Sequence, residues 1–136
     1  MSVGKHIILD LYEVNTTILQ SINTSTVYLF NDFIEHILHT ANIHLLSKNI
    51  HFFDLNHENK KIDGAFTALY LLSESHLSIH TWPERDYIAI DIFTCGNCDI
   101  NYIAEKIIDY FEPKNKKLTL LERGKYPQIK FKKNTI

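Results

Sequence analysis

The residues best suited to chemistry in this sequence lie close together, between Leu71 and Gly96. Within 22 positions this segment places hydroxyl, imidazole, carboxylate, indole and thiol side chains, among them Glu74, Ser75, His76, His80, Trp82, Glu84 and Cys95. Side chains of these types perform nucleophilic and acid–base catalysis when a fold holds them within hydrogen-bond reach. The segment is therefore the first candidate for an active site.

A hydrolase is one interpretation of these residue types. Ser75 with His76 or His80 could form a nucleophile and its base. The Gly-x-Ser-x-Gly signature is absent, however, and Glu74 and His76 are bulky where a sharp strand-to-helix turn favours glycine. Hydrolysis is therefore disfavoured.

The pair Cys95-x-x-Cys98 has a spacing found in redox and zinc sites. No second pair of cysteines occurs in the sequence, and no pair of histidines follows it downstream. A metal site is therefore not expected. Considered singly, His80 suits an ordinary strand position with a backbone partner, and Trp82 suits a core or an interface.

The order of the residues narrows the function further. Glu-Ser-His-x-x-Ile-His-Thr-Trp-Pro-Glu from Glu74, followed by Asp-x-Phe-Thr-Cys-Gly from Asp91, resembles the self-processing and catalytic segment of bacterial and archaeal S-adenosylmethionine decarboxylases. The segment GKHI at 4–7 resembles the opening strand of that family, and ERGKY at 122–126 resembles its closing segment. The resemblance covers nearly the whole chain.

The resemblance implies a proenzyme that cleaves itself between Glu74 and Ser75 into chains 1–74 and 75–136. The Ser75 hydroxyl would attack the Glu74 carbonyl to form an ester. Elimination would leave dehydroalanine, and hydrolysis would release ammonia and leave a pyruvoyl group at position 75. That ketone would form a Schiff base with the substrate amine and accept electrons during decarboxylation. Neither pyridoxal phosphate nor a metal is then expected.

The resemblance also implies roles for three other residues. His80 matches a histidine that assists maturation, and a neutral imidazole suits removal of the Ser75 α-proton. Since these residues would face opposite sides of a straight strand, a bend around Ser75 is expected. Cys95 matches a thiol that returns a proton to the α-carbon after carbon dioxide leaves. Thr67 matches a hydroxyl residue that supports the processing centre.

Substrate recognition rests on fewer residues. Glu84 matches a carboxylate that binds ribose hydroxyls, as an ionised acceptor can do strongly. Phe52 or Phe53 resembles an aromatic residue that stacks on adenine. With S-adenosylmethionine as substrate, the product would be the aminopropyl donor for spermidine synthesis. The connection between Phe53 and Thr67 is longer and more charged than in the family, which leaves the stacking position open.

Two alternatives remain open. A pyruvoyl-dependent decarboxylase of arginine or ornithine is one, because acidic residues between Asp54 and Asp63 could face a cationic side chain. The other is an uncleaved, non-enzymatic homologue that regulates an active copy, although intact Ser75, His80 and Cys95 argue against it.

Composition limits the partners and the location. The net charge is -2 and no run of five like charges occurs, so the basic surface that binds nucleic acid is not expected. No apolar stretch approaches the roughly 20 residues that span a bilayer, and a cytoplasmic protein is predicted. The resemblance implies a homodimer of cleaved protomers with the active site between subunits. The tail from Lys125 to Ile136 is expected to be frayed.

Strands must position most of these side chains. Residues rich in β-formers predict six strands, over residues 5–12, 49–54, 65–72, 76–82, 87–93 and 117–121. The run over 65–72 is apolar throughout, as expected of a central strand covered on both faces. The charged stretch over 56–63 predicts a loop.

Two stretches carry apolar residues at helical spacing. The first extends from Phe30 to Leu45, and the second covers residues 100–111, with Asp99 as its cap and Pro113 as its stop. Helices on one face of a mostly antiparallel sheet satisfy this pattern. The predicted fold is therefore α+β, a two-layer sandwich formed by residues 1–136 as a single domain.

Overall fold

Strands contribute most of the regular structure in the computed structural model of this chain, which describes residues 3–125. Six strands form one antiparallel sheet in the order β2-β5-β6-β7-β1-β8, and two shorter strands form a separate hairpin. Their bounds are β1 Gly4–Tyr12, β2 Leu45–Phe52, β3 Asn56–His57, β4 Lys60–Lys61, β5 Phe66–Leu72, β6 Ser75–Trp82, β7 Tyr87–Cys95 and β8 Asn115–Arg123.

Three α-helices and one 3₁₀ turn complete the described residues. They are α1 Thr16–Gln20, α2 Val27–Thr40, α3 Ile100–Phe111 and the 3₁₀ turn Pro83–Arg85. None of the helices in this part of the chain is long and apolar enough to cross a membrane. The predicted frayed tail lies almost wholly beyond the described residues.

The core lies between the sheet and the two longer helices. Side chains alternate along each central strand, and one set is buried against the apolar faces of α2 and α3. Largest among the fully buried side chains are Tyr70, Phe30, Phe66 and Phe111. A fully buried aromatic or aliphatic side chain stabilises the fold by about 1.5–3 kcal/mol. The predicted α+β two-layer sandwich is confirmed.

Local signals explain the bounds of α3. The Asp99 side chain accepts a hydrogen bond from the backbone N–H of Tyr102 at 3.2 Å, which caps the first turn as predicted. Glu112 adopts a left-handed conformation with φ 48°, and Pro113 follows it, so the helix cannot continue.

The predicted end of the first long helix is wrong. The helix α2 ends at Thr40, and Leu45 begins β2. Asn42 takes a left-handed φ of 59°, and the N–H of Ile43 donates back to the carbonyl of Leu38 at 2.9 Å. Apolar spacing continued past this point because Leu45 packs against the same core from a strand.

Two further expectations are wrong. The run over 65–72 is covered on one face only, and Leu69 and Leu71 are each 52% exposed on the other. The stretch over 56–63 contains the β3–β4 hairpin instead of a plain loop. The sheet surface that carries Leu69 and Leu71 is called the open face below, because no helix covers it within residues 3–125.

Candidate active site

Ser75 lies where the chain turns from β5 into β6. It pairs with Leu72 across that hairpin, and its φ is 146°. Side chains with a Cβ rarely adopt positive φ, and such residues carry roughly 1–3 kcal/mol of strain. The Ser75 Oγ lies 3.0 Å from Nδ1 of His76, within hydrogen-bond distance. The hydroxyl expected to attack the Glu74 carbonyl is thus next to a histidine and in a strained turn.

Both ends of Glu74 are held. Its backbone carbonyl accepts from Sγ of Cys95 at 3.8 Å, a sulfur hydrogen bond across the turn. Its carboxylate accepts from the backbone N–H of His44 at 2.9 Å and from Nδ1 of the same histidine at 2.7 Å. Burial opposes ionisation of this carboxyl, but the hydrogen bonds from His44 outweigh it and lower the pKa of Glu74.

An open cleft of about 500 Å³ adjoins this turn. Its walls are Ala41, Asn42, His44, Glu74, Cys95, Asn97, Cys98 and Asp99. Cys95 is exposed, whereas burial raises the pKa of the Cys98 thiol above its ordinary value. Of the two thiols, Cys95 is therefore the more accessible to a small molecule.

A second cluster lies towards the other end of β6. Thr67 on β5 pairs with His80 on β6, and Thr67 Oγ1 lies 2.5 Å from His80 Nδ1. The His80 ring contacts two aromatic rings, with centroids 5.8 Å from Phe53 and 4.1 Å from Trp82. The contact between the Thr67 hydroxyl and Nδ1 restricts the orientation of the His80 ring.

A pocket of about 220 Å³ lies beside His80. It is lined by Phe53, Asp54, Leu55, Ala65, His80, Thr81, Trp82 and Glu84. Phe53 is one of its walls, whereas Phe52 packs against Phe66 of the core with ring centroids 5.6 Å apart. Flat aromatic surfaces beside the carboxylates of Asp54 and Glu84 suit a planar ring joined to a group that donates hydrogen bonds.

The structure does not bring Ser75 and His80 together. The expected bend at Ser75 exists, but β6 then pairs residue by residue with β7 from His76 to Trp82. Five strand positions correspond to roughly 16 Å. The candidate residues therefore form two clusters, one at each end of β6.

Two polar pairs on the open face connect β1 with β7. The Tyr87 hydroxyl donates a hydrogen bond to Asp10 on the neighbouring strand. Burial is the larger cause and this hydrogen bond the next of a raised pKa for the Tyr87 phenol. His6 Nε2 lies 3.0 Å from Asp91. A surface that combines half-buried ionisable pairs with exposed leucines is unusual for a face open to solvent, which makes the open face a candidate interface.

His44 was missed by the sequence analysis, although it contacts Glu74 twice. It lies 30 positions away in the connection from α2 to β2, and no motif surrounds it. Only the folded position of that connection identifies it.

Comparisons with known proteins show the family and the fold to which this chain is similar. The family profile described as S-adenosylmethionine decarboxylase matches residues 5–124. An S-adenosylmethionine decarboxylase proenzyme from Sulfurihydrogenibium sp. (strain YO3AOP1) is 37% identical over 127 residues, covering 93% of this chain and 86% of the relative. An S-adenosylmethionine decarboxylase proenzyme 2 from Bacillus anthracis is 36% identical over 125 residues, covering 89% of each chain. The crystal structure of the adenosylmethionine decarboxylase from Aquifex aeolicus VF5 superposes with a TM-score of 0.71 at 27% identity, covering 96% of this chain and 98% of that one.

Proposed function

The chain belongs to the S-adenosylmethionine decarboxylase family, and from that membership we propose that it is a proenzyme which cleaves itself between Glu74 and Ser75. The mature enzyme would remove the carboxyl group of S-adenosylmethionine and supply the aminopropyl donor for spermidine synthesis. A cytoplasmic location stays a prediction.

The observation that carries this proposal is the turn at Ser75. A strained serine follows a peptide carbonyl that a thiol already contacts, and the serine hydroxyl has a histidine beside it. Strain in the starting peptide lowers the additional energy needed to reach a tetrahedral intermediate. These residues fit the formation of a pyruvoyl group at position 75.

In the proposed maturation, the Ser75 Oγ bonds to the carbonyl carbon of Glu74 and the peptide C–N bond breaks, which gives an ester and a free amine. A base then takes the Ser75 α-proton, and the Cβ–O bond breaks with release of the Glu74 carboxylate. Water replaces the nitrogen of the resulting dehydroalanine, and ammonia leaves. The products are chains 1–74 and 75–136, and no outside oxidant is required.

The pyruvoyl group supplies an electron sink for the charge that remains when carbon dioxide leaves. Cys95 is exposed beside the turn, so its thiol can hold the proton that the substrate α-carbon later receives. Glu84 and Phe53 line the second pocket, and they are the proposed partners of the ribose hydroxyls and of adenine.

The separation of the two clusters supports an active site shared between subunits. In a two-fold symmetric dimer, both protomers use the same surface. One end of that surface can contact the other end on the partner, and the reverse contact is then also made. Pairing of two open faces can therefore set the Ser75 end of one protomer against the His80 end of the other. Exposed Leu69 and Leu71 give that face an apolar surface to bury. We propose a homodimer with two such sites.

The arginine or ornithine alternative has less support. Of the acidic residues between Asp54 and Asp63, Asp54 lines the pocket beside His80, whereas Asp63 accepts a hydrogen bond from Asn23 at 3.5 Å. Glu58 lies at the exposed tip of the β3–β4 hairpin. The loop therefore adds one carboxylate, Asp54, to a pocket that Glu84 also lines, and the relatives compared above are S-adenosylmethionine decarboxylase proenzymes.

The direct test is the mass of the purified protein beside a Ser75→Ala variant. We expect two fragments that meet at Glu74 and Ser75, with the second carrying pyruvoyl, and an uncut variant. The cleaved protein should release carbon dioxide from carboxyl-labelled S-adenosylmethionine. An uncut wild-type chain would overturn the maturation and favour a non-enzymatic homologue. Cleaved protein that acts on arginine or ornithine instead would overturn the substrate.

A further inference from the structure

His44 is tied to the turn at the proposed scissile bond by three hydrogen bonds. Its backbone N–H and its Nδ1 both donate to the Glu74 carboxylate, at 2.9 Å and 2.7 Å. Its carbonyl accepts from the backbone N–H of Ser73 at 2.9 Å. This set of contacts between His44 and the Ser73–Glu74 turn is called the clasp below.

The clasp acts on the residue whose carbonyl must be attacked. Holding the Glu74 side chain and the preceding N–H leaves little rotation for the peptide between Glu74 and Ser75. The carbonyl of that peptide is then kept towards Cys95, as its 3.8 Å contact requires. Attack by the Ser75 hydroxyl needs a defined approach to this carbonyl, and small errors in position slow such reactions strongly.

Apolar burial does not explain why position 44 carries an imidazole side chain. The His44 side chain is 64% exposed, while the Glu74 side chain is 16% exposed. An exposed ring contributes little apolar burial, and the two backbone contacts of His44 need no particular side chain. The imidazole therefore adds one feature, a second donor to the Glu74 carboxylate.

We propose that His44 is a positioning residue for self-cleavage, which acts through Glu74 to orient the scissile carbonyl before ester formation. The inference rests on the proposed function, because it assigns a step within that maturation. His44 does not itself touch the reacting atoms.

The test compares rates of self-cleavage in chains synthesised in a cell-free reaction and sampled over time. We expect His44→Ala to be cut about tenfold more slowly than wild type, because its Glu74 side chain has lost one of two donors. His44→Asn should recover most of the rate, since its amide N–H can occupy nearly the position of Nδ1–H. His36→Ala removes another exposed histidine, from α2, and should cleave at the wild-type rate.

A second measurement identifies the step. Hydroxylamine cleaves an ester but leaves a peptide bond intact. Uncut His44→Ala chains should resist it, because the proposed defect precedes ester formation. Circular dichroism of uncut Ser75→Ala protein, with and without His44→Ala, should show that both are folded.

The outcomes separate this inference from the proposed function. An uncut wild-type chain would contradict the function itself. If wild type is cut and His44→Ala is cut equally fast, the function stands and the role of His44 is refuted. Failure of His44→Asn to recover the rate in a folded chain, or accumulation of ester in His44→Ala, would also refute it.

Discussion

At Ser75 a single residue combines a strained backbone with a hydroxyl that has a histidine neighbour. The preceding carbonyl and carboxylate have their own partners, Cys95 and His44. Each contact restricts one rotation near the scissile peptide. The chemistry proposed here therefore depends on the conformation of two consecutive residues as much as on their types.

The ionisation of Glu74 predicts a pH dependence of stability in the uncut protein. Its pKa lies below the ordinary 4.5 in the folded chain, since burial raises it by less than the hydrogen bonds from His44 lower it. A carboxyl with a lowered folded pKa stabilises the fold above its unfolded pKa, and this contribution disappears as the pH falls through the folded value.

Urea unfolding of Ser75→Ala and of Ser75→Ala with His44→Ala would measure this contribution. We expect a difference of at most about 1 kcal/mol in unfolding free energy at pH 7, because the histidine is exposed. The difference should shrink below pH 4.5. A difference that stays constant from pH 7 to pH 3 would contradict the assigned cause.

It is easier to identify reacting residues from sequence patterns than to identify the residues that position them. The motif grouped Glu74, Ser75, His80 and Cys95, and the structure brings Glu74, Ser75 and Cys95 together at one turn but leaves His80 at the other end of β6. His44 belongs to no motif, because its contribution depends on where one connection folds. Phe52 and Phe53 are adjacent in sequence, but Phe52 ends β2 and packs on the core, whereas Phe53 follows the strand and lines the pocket.

At the scale of elements, the start of β5 depends on one glycine. Gly64 has φ 92°, and a Cβ there would lie 2.6 Å from the backbone oxygen of Leu19. The Gly64 carbonyl accepts a hydrogen bond from the Thr81 hydroxyl. Ala65, a wall of the pocket beside His80, follows directly. The glycine therefore lets α1 approach β5, the strand that carries Thr67.

Gly64→Ala should destabilise the protein, because both the positive φ and the close backbone contact disfavour a side chain. We expect a loss of about 1–3 kcal/mol in unfolding free energy, measured by urea denaturation of uncut Ser75→Ala protein. Gly96→Ala is the matched control, since Gly96 is not among the described glycines with positive φ. Equal stability of the two variants would show that α1 moves away without penalty.

The element pattern could be predicted from sequence where it is local. Periodicity and the Asp99 cap defined α3, and β-formers located the six main strands. The prediction for the end of α2 was wrong because the apolar spacing continues across Asn42 into a strand that faces the same core. The uniform apolar run of β5 could not indicate that one of its faces lacks a helix, since covering a face is a tertiary event.

The whole molecule presents two incomplete clusters, one at each end of β6. The proposed dimer predicts that a chain lacking Ser75 can lend its His80 to a chain that lacks His80. Co-expression of Ser75→Ala and His80→Ala chains should therefore produce cleavage of the His80→Ala chain in mixed dimers. Mass spectrometry of differently tagged chains would identify which chain is cut.

The control partner is a chain with both Ser75→Ala and His80→Ala, which has no histidine to lend. His80→Ala should remain uncut with this partner and when expressed alone. Cleavage that is the same with either partner would show that His80 acts within its own chain or is not needed.

The strand order of the sheet has a consequence for how the proposed enzyme is assembled. Residues 1–74 supply β1, β2 and β5, while residues 75–136 supply β6, β7 and β8, and β1 lies between β7 and β8. The two products of cleavage are thus interwoven, and neither can leave without breaking pairs on both sides of β1. Folding must come first and cutting second. The mature protein would then keep a fold that formed in the uncut chain, and its two fragments would never have to fold separately.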